Sequence, residues 1–473
     1  MLQRHGSGKT AVLVERIINK VIKEKIDIDK ILIVTFTSAA ASEMRERILE
    51  AIYKKIEEDP SNTDLQRQII LLNKCNISTI HSFCLDVIRN NFYEIDTSAN
   101  FRVADTAEVE LLKQEIIDDL FEEKYLAEDK SFEKLLNTYT NYRGDDNLRQ
   151  LVLNIYRFIQ SSPFPERWLN EQVEKFNLKD KLENDFSETV WGQILLENFK
   201  EELIDSILKL KQVENNIRKY DELEKYQTVI SNDIETLEEI MSKSEKWEDA
   251  YNSALILSWA KWPSDRKITI EAKDEAKEIR DNVKKKVAAT VNKYLIYNSK
   301  QANIDIYEMY DILVSIKELV LEFMSKFAAR KKEKNIVDFN DIEHFALNIL
   351  LKEDEDGVIR ETDVAKKYKE KFEEIAIDEY QDSNLVQEYI LKSVSRGNNI
   401  FMVGDVKQSI YKFRQARPEL FLEKYATYKL KGEESTLGMK IQLFKNFRSR
   451  NNVRFNKFDI RKYNEQELRR YLL

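Results

Sequence analysis

The chain has 473 residues, 42% hydrophobic and 34% charged, with a formal net charge of −9. That length suits roughly two to four domains, and the acidic balance excludes a uniformly basic nucleic-acid coat, so any contact with a polyanion must be local. Two cysteines, Cys75 and Cys84, with only three histidines exclude a disulfide framework and a Cys/His metal knuckle; no signal peptide or long apolar run is visible, which predicts a soluble, cytoplasmic protein with no membrane partner.

Near the start, Gly6-Ser7-Gly8-Lys9-Thr10 fits the end of a phosphate-binding loop. Glycines let backbone amides approach phosphates, Lys9 reaches the outer phosphates, and Thr10 is placed to ligate Mg²⁺. The pattern is incomplete upstream: Gln3 stands where a small residue is wanted, and Arg4 and His5 are bulky for a tight loop. Leu13, Ile17 and Val21, with Val14, Ile18 and Ile22 beside them, predict a helix over 9–22. Its positive end faces the loop. The run from Ile31 to Thr37 reads as a buried parallel strand. Ser38 is the expected N-cap of the helix that follows. Residues 76–84 read as another strand running into a helix, so residues 1–104 alternate α and β.

From about 105 to 330 the chain is charged and helix-periodic. No glycine lies between Gly192 and Gly357, and all five tryptophans fall here. This segment is expected to be a helical domain with its own core, its tryptophans serving as packing residues. The α/β pattern returns near Ile336. Asn340 with Glu343 has capping-box spacing for a helix through Leu351.

The apolar run Ile375-Ala376-Ile377 then leads into Asp378 and Glu379. A buried strand delivers acids to a sheet edge in this way. One acid can hold Mg²⁺ on a nucleotide and the next can orient the attacking water. Asp-Glu pairs are common on solvated surfaces, and the company of the glycine-lysine segment is what gives this one weight. Gln381 is placed to sense nucleotide state, or is an ordinary polar residue opening a helix. A strand at 400–403 precedes Lys407-Gln408-Ser409-Ile410-Tyr411-Lys412-Phe413-Arg414, where aromatics alternate with cations. Residues 401–450 hold 11 Lys/Arg against 5 Asp/Glu, a local balance of +6. Such a strip suits unpaired bases and phosphates, and equally a solvated helix with two core aromatics. In Asn446-Phe447-Arg448-Ser449, Arg448 is suited to a bidentate phosphate contact.

The order and wording of these motifs resemble the UvrD/RecB-like superfamily of DNA helicases. Residues 35–45, Thr79-Ile80-His81-Ser82-Phe83-Cys84 and Gly404-Asp405-Val406-Lys407-Gln408-Ser409-Ile410-Tyr411 come nearest to AddAB-type helicase–nucleases. The likeness runs from Gly6 to about Val453. It implies a RecA-like P-loop NTPase domain with a parallel sheet (residues 1–104 and 331–453), interrupted by an all-helical inserted domain (105–330), with a divergent tail at 454–473. It further implies ATP and Mg²⁺ as cofactors. Gly6, Ser7, Gly8, Lys9, Thr10 and Gln381 would bind the nucleotide, with Thr10 and Asp378 on the metal. Asp378, Glu379, Gln408 and Arg448 would act in hydrolysis and its coupling. Phe36, Thr37, His81, Tyr411, Phe413 and Arg414 would line a path for single-stranded DNA.

By the same resemblance, the expected activity is ATP-driven 3′-to-5′ unwinding in double-strand break repair and recombination. Its partners would be DNA ends and an AddB-like subunit. The upstream strand, the second motor domain and the nuclease domain of that family are not recognisable. The isolated chain is therefore expected to be an incomplete motor, with a non-catalytic DNA-binding or subunit-docking fragment as the alternative.

Overall fold

A computed structural model describes residues 9–95, 97–98, 100–140, 144–264, 270–354, 357–405, 417–430 and 438–441. Two units are distinguished within it: Met1–Leu120, Leu153–Pro165 and Phe323–Leu473 in the first, Phe121–Val152 and Glu166–Glu322 in the second.

The first unit is built on a four-stranded, wholly parallel sheet in the order Asn76–Thr79, Ile31–Thr35, Glu374–Ile377, Ile400–Met402. Side chains alternate across a strand. Leu32, Val34, Ile375 and Ile377 therefore enter one core with the helices Ile80–Asn91, Phe339–Leu350 and Leu385–Ser393. Ile31, Ile33, Ile77 and Ala376 enter the other with Lys9–Lys23, Ser38–Glu58 and Thr63–Leu72. Burial on both faces explains why these strands read as continuous apolar runs. In the first helix, Leu13, Ile17 and Val21 are buried as their spacing predicts.

Two helix starts differ from expectation. Thr37, not Ser38, caps the helix Ser38–Glu58, its hydroxyl accepting from the Ala40 amide at 3.1 Å. Asp338 and Asp341, not Asn340 and Glu343, form the reciprocal capping box of Phe339–Leu350. In each case the cap is the last extended residue before the helix, because only there does the side chain reach back to an unpaired amide.

The described residues of the second unit carry helices and short helical turns, with one bridge residue at Gly144. Val190–Ile217 packs against Glu224–Lys243 and Glu271–Tyr294. Trp247 is buried in this core, with Trp191, Trp259 and Trp262 packed on it. Among the described residues no helix is long and apolar enough to cross a membrane.

Candidate functional site

A parallel sheet brings the C-terminal ends of its strands to one edge, where open α/β folds place their ligand groups. Phe36 and Thr37 follow the strand Ile31–Thr35, Ile80 and His81 follow Asn76–Thr79, and Asp378 and Glu379 follow Glu374–Ile377. The Asp378 amide donates to the Val34 carbonyl at 2.9 Å, fixing the first acid at that edge.

Lys9 opens the first helix and is 8% exposed. Its Nζ lies 2.6 Å from Glu379 Oε2, across 370 residues of sequence. The partner of Lys9 is thus the second acid of the pair. Thr10 sits on the same first turn, partly buried. The helix is braced on the acid strand from the other side: Arg16 Nε and Lys20 Nζ both pair with buried Glu374, and the Arg16 guanidinium lies 4.5 Å from the Phe401 ring centroid. Sequence reasoning missed this brace. A glutamate opening an apolar strand, with two cations one helical turn apart elsewhere, was its only trace.

Glu379 adopts the left-handed backbone conformation, φ 51°, an uncommon state for a residue with a side chain. It turns the chain directly after the strand. Gln381 sits where it can link both sides of that turn. Its Nε2 donates to Glu379 Oε2 at 2.9 Å, and its Oε1 accepts from the Asp405 amide at 2.8 Å. A Cβ on Gly404 would fall 2.7 Å from Gln381 Oε1 and 2.8 Å from Phe421, so a side chain there would have to displace the Gln381 amide and the Phe421 ring. A second link was likewise invisible in the sequence. Tyr380 donates to buried Glu388 at 2.6 Å, and Lys424 pairs with the same carboxylate at 2.7 Å. Burial raises the Tyr380 hydroxyl well above its ordinary range, and the Glu388 charge raises it further.

Asp378 is the electrostatic outlier. Burial, then the neighbouring Glu379 charge, push its carboxyl from 3.8 up to about 6, with Lys9 partly opposing. A carboxyl raised in the folded state holds its proton better there than in the unfolded chain. It therefore stabilises the fold below about pH 4 and progressively less as the pH rises to about 6. Asp378→Asn is accordingly expected to raise the thermal midpoint by about 3–6 °C at pH 8, with the gain vanishing near pH 4. Melting curves at the two pH values check this.

The other expected site residues are placed as follows. Phe36 is partly buried and Thr37 exposed, and the Thr37 hydroxyl is engaged as the helix cap. His81 lies 3.2 Å through Nε2 from Glu343. Gly6, Ser7, Gly8, Gln408, Tyr411, Phe413, Arg414 and Arg448 lie outside the described residues. Among the described residues no group of three or more His, Cys, Asp or Glu could hold a metal ion by itself.

The sequence matches the family model of the UvrD/REP helicase N-terminal domain over residues 5–429. It is 46% identical over 458 residues to a subunit of the ATP-dependent helicase/nuclease of Clostridium botulinum, covering 95% of this chain and 36% of that protein. The proteins of the same name from Clostridium kluyveri and Clostridioides difficile are 46% and 45% identical over 455 and 461 residues, with the same shares covered. The chain thus spans about a third of the length of the curated relatives it matches, 36%.

Proposed function

The chain belongs to the UvrD/REP helicase N-terminal domain family, and from that premise we propose that it is the ATP-binding motor portion of an ATP-dependent 3′-to-5′ DNA helicase acting in break repair and recombination. The first unit is then a RecA-like ATP-binding domain in three sequence segments, and the helical unit occupies the two stretches of chain between them. The observation that carries this reading is the Lys9–Glu379 ion pair beside Asp378, at the edge where parallel strands end.

In the proposed cycle a nucleoside triphosphate takes Lys9 away from Glu379. The lysine turns to the outer phosphates. The released carboxylate orients the attacking water and accepts its proton. Asp378 and Thr10 fit a hard cation that keeps phosphate and water oxygens as its remaining ligands. Mg²⁺ bound there would neutralise developing charge on the phosphates. Asp378 must be ionised to serve, so metal-dependent nucleotide binding weakens below pH about 6, where its carboxyl takes up a proton. Gln381 spans Glu379 and the Asp405 amide, and so transmits the loss of the outer phosphate to the segment after Asp405. Gln408 and Arg448 are assigned to the terminal phosphate. Phe36, Thr37, His81, Tyr411, Phe413 and Arg414 are assigned to single-stranded DNA. The proposed partners are DNA ends and an AddB-like subunit; the proposed location is the cytoplasm.

The test is binding of a labelled single-stranded oligonucleotide across a salt series. The expected result is salt-dependent binding that Tyr411→Ala/Phe413→Ala weakens by about 2–6 kcal/mol, the stacking of two bases. No binding of the oligonucleotide would leave a phosphate-loop ATPase unconnected to DNA, and binding that ignores these residues would remove Tyr411 and Phe413 from the DNA path.

A further inference from the structure

The helix Pro418–Thr427 has a small apolar footing. Of its ten residues only Pro418 is buried, and Phe421 packs on the core from partial exposure. Its position is set as much by ties to the turn that follows the two acids. At its N-cap, the Arg417 amide donates to the Ser383 carbonyl at 3.0 Å. The Phe421 ring stands 6.2 Å from the Tyr380 ring, centroid to centroid. One helical turn further on, Lys424 Nζ lies 5.4 Å from the centre of that same Tyr380 ring and 2.7 Å from Glu388 Oε1. The other oxygen of this carboxylate, Oε2, accepts from the Tyr380 hydroxyl at 2.6 Å. Glu388 is 4% exposed. Burial alone would raise its carboxyl, yet Lys424 and Tyr380 hold it below the usual range. Lys392, more than half exposed, also reaches Oε1, at 3.2 Å. An apolar contact could join two elements here at lower desolvation cost. Tyr380 directly follows Glu379, whose backbone is left-handed, and its own amide donates to the Val403 carbonyl at 2.9 Å.

We propose that Glu388 is a positioning residue that locks the Tyr380 hydroxyl to the Lys424 ammonium, so that nucleotide bound at Lys9 and Glu379 orders the helix Pro418–Thr427 through the turn between them. The inference rests on the nucleotide reading above and adds a second route out of that site, besides Gln381. Nucleotide draws Lys9 away from Glu379 and commits the freed carboxylate to the attacking water. Glu379 and Tyr380 share a peptide unit, so an adjustment of the left-handed turn reorients Tyr380. The tyrosine does not turn alone, because its hydroxyl and the Lys424 ammonium are held on one carboxylate. An element tied to the turn loses its motion when the turn does. A glutamine at 388 would face two donors with one acceptor and one donor. One tie would then break with the side-chain volume unchanged.

The experiment uses the whole chain with Mg²⁺ and adenylyl imidodiphosphate, a triphosphate that resists hydrolysis. Hydrogen–deuterium exchange of residues 418–427 is followed by mass spectrometry. Nucleotide affinity is measured on the same preparations, so that every comparison is made at saturation. Saturating nucleotide is expected to slow exchange in the wild-type helix about tenfold. Glu388→Gln is expected to abolish that difference. Lys424→Met is expected to do the same, and Lys424→Arg to restore it, since a guanidinium can also pair with the carboxylate. Lys424 is 19% exposed and its loss leaves Glu388 paired with Lys392 and Tyr380, so this variant reports even where Glu388→Gln lowers stability. A merely structural tie would speed exchange equally with and without nucleotide and keep the difference between the two states. That outcome in either variant, or a wild-type helix indifferent to saturating nucleotide, overturns the inference. A wild-type chain that does not bind the nucleotide at all overturns the nucleotide reading itself, and this inference with it.

Discussion

Lys9→Ala is expected to weaken binding of a magnesium nucleoside triphosphate by about 2–5 kcal/mol, roughly thirty- to several-thousandfold. Three effects act in the same direction. The ammonium is 8% exposed, so its contact with phosphate is poorly screened. Its removal also leaves Glu379 without the cation 2.6 Å away. The carboxylates of Asp378 and Glu379 then face the triphosphate with no lysine between them. Glu379→Gln should behave in the opposite sense. It releases Lys9 from its resting partner and removes a negative charge, so nucleotide affinity is kept or tightened. Where turnover can be measured in a complete motor, the same change removes the base and is expected to slow hydrolysis about 10²–10⁴-fold. Calorimetric titration of the purified chain and the two variants checks the binding part. Equal affinities for wild type and Lys9→Ala would remove the nucleotide site from the proposal and leave a DNA-binding or subunit-docking module.

Arg280→Leu is expected to destabilise the helical unit by about 3–5 kcal/mol. Arg280 and Asp233 are each 2% exposed. They pair bidentately, Nε to Oδ2 at 2.5 Å and Nη2 to Oδ1 at 3.1 Å, joining the helices Glu271–Tyr294 and Glu224–Lys243. The guanidinium also donates to the Ala260 carbonyl at 2.6 Å and lies 5.4 Å from the Trp262 ring centroid. Removing the arginine strands a buried carboxylate and an unpaired carbonyl. Replacing both partners, Asp233→Leu/Arg280→Leu, is expected to recover most of the loss, because the cost comes from the stranded charge more than from a strong pair. Urea unfolding of the single and double variants measures the difference. A double variant as unstable as Arg280→Leu would show that packing around the guanidinium, not the ion pair, holds these helices.

Some of the fold was legible because it is local. The apolar stripe of Leu13, Ile17 and Val21 is buried in the helix its spacing predicts. The run from Ile31 to Thr35 is buried throughout, as a parallel strand's must be. Asp378 and Glu379 stand directly after such a run because a strand delivers its next residues to the sheet edge. The helix caps were harder. Ser38 and Asn340 are good cap types, but Thr37 and Asp338 hold the extended backbone at the last position before the helix. Side-chain chemistry names several candidates, and the backbone chooses one.

What the sequence determined by itself is therefore which short segments form helix and strand and which functional groups they present at their ends, since period, turn type and functional group all act over a few positions. The tertiary structure alone decided their partners. Strand Ile31–Thr35 lies between Asn76–Thr79 and Glu374–Ile377, and no local pattern records a neighbour that distant along the chain. Lys9 meets Glu379, Glu374 meets Arg16, and Glu343 meets His81 for the same reason. A buried charge persists only where opposite charge or hydrogen bonds surround it, and in this fold those come from other elements.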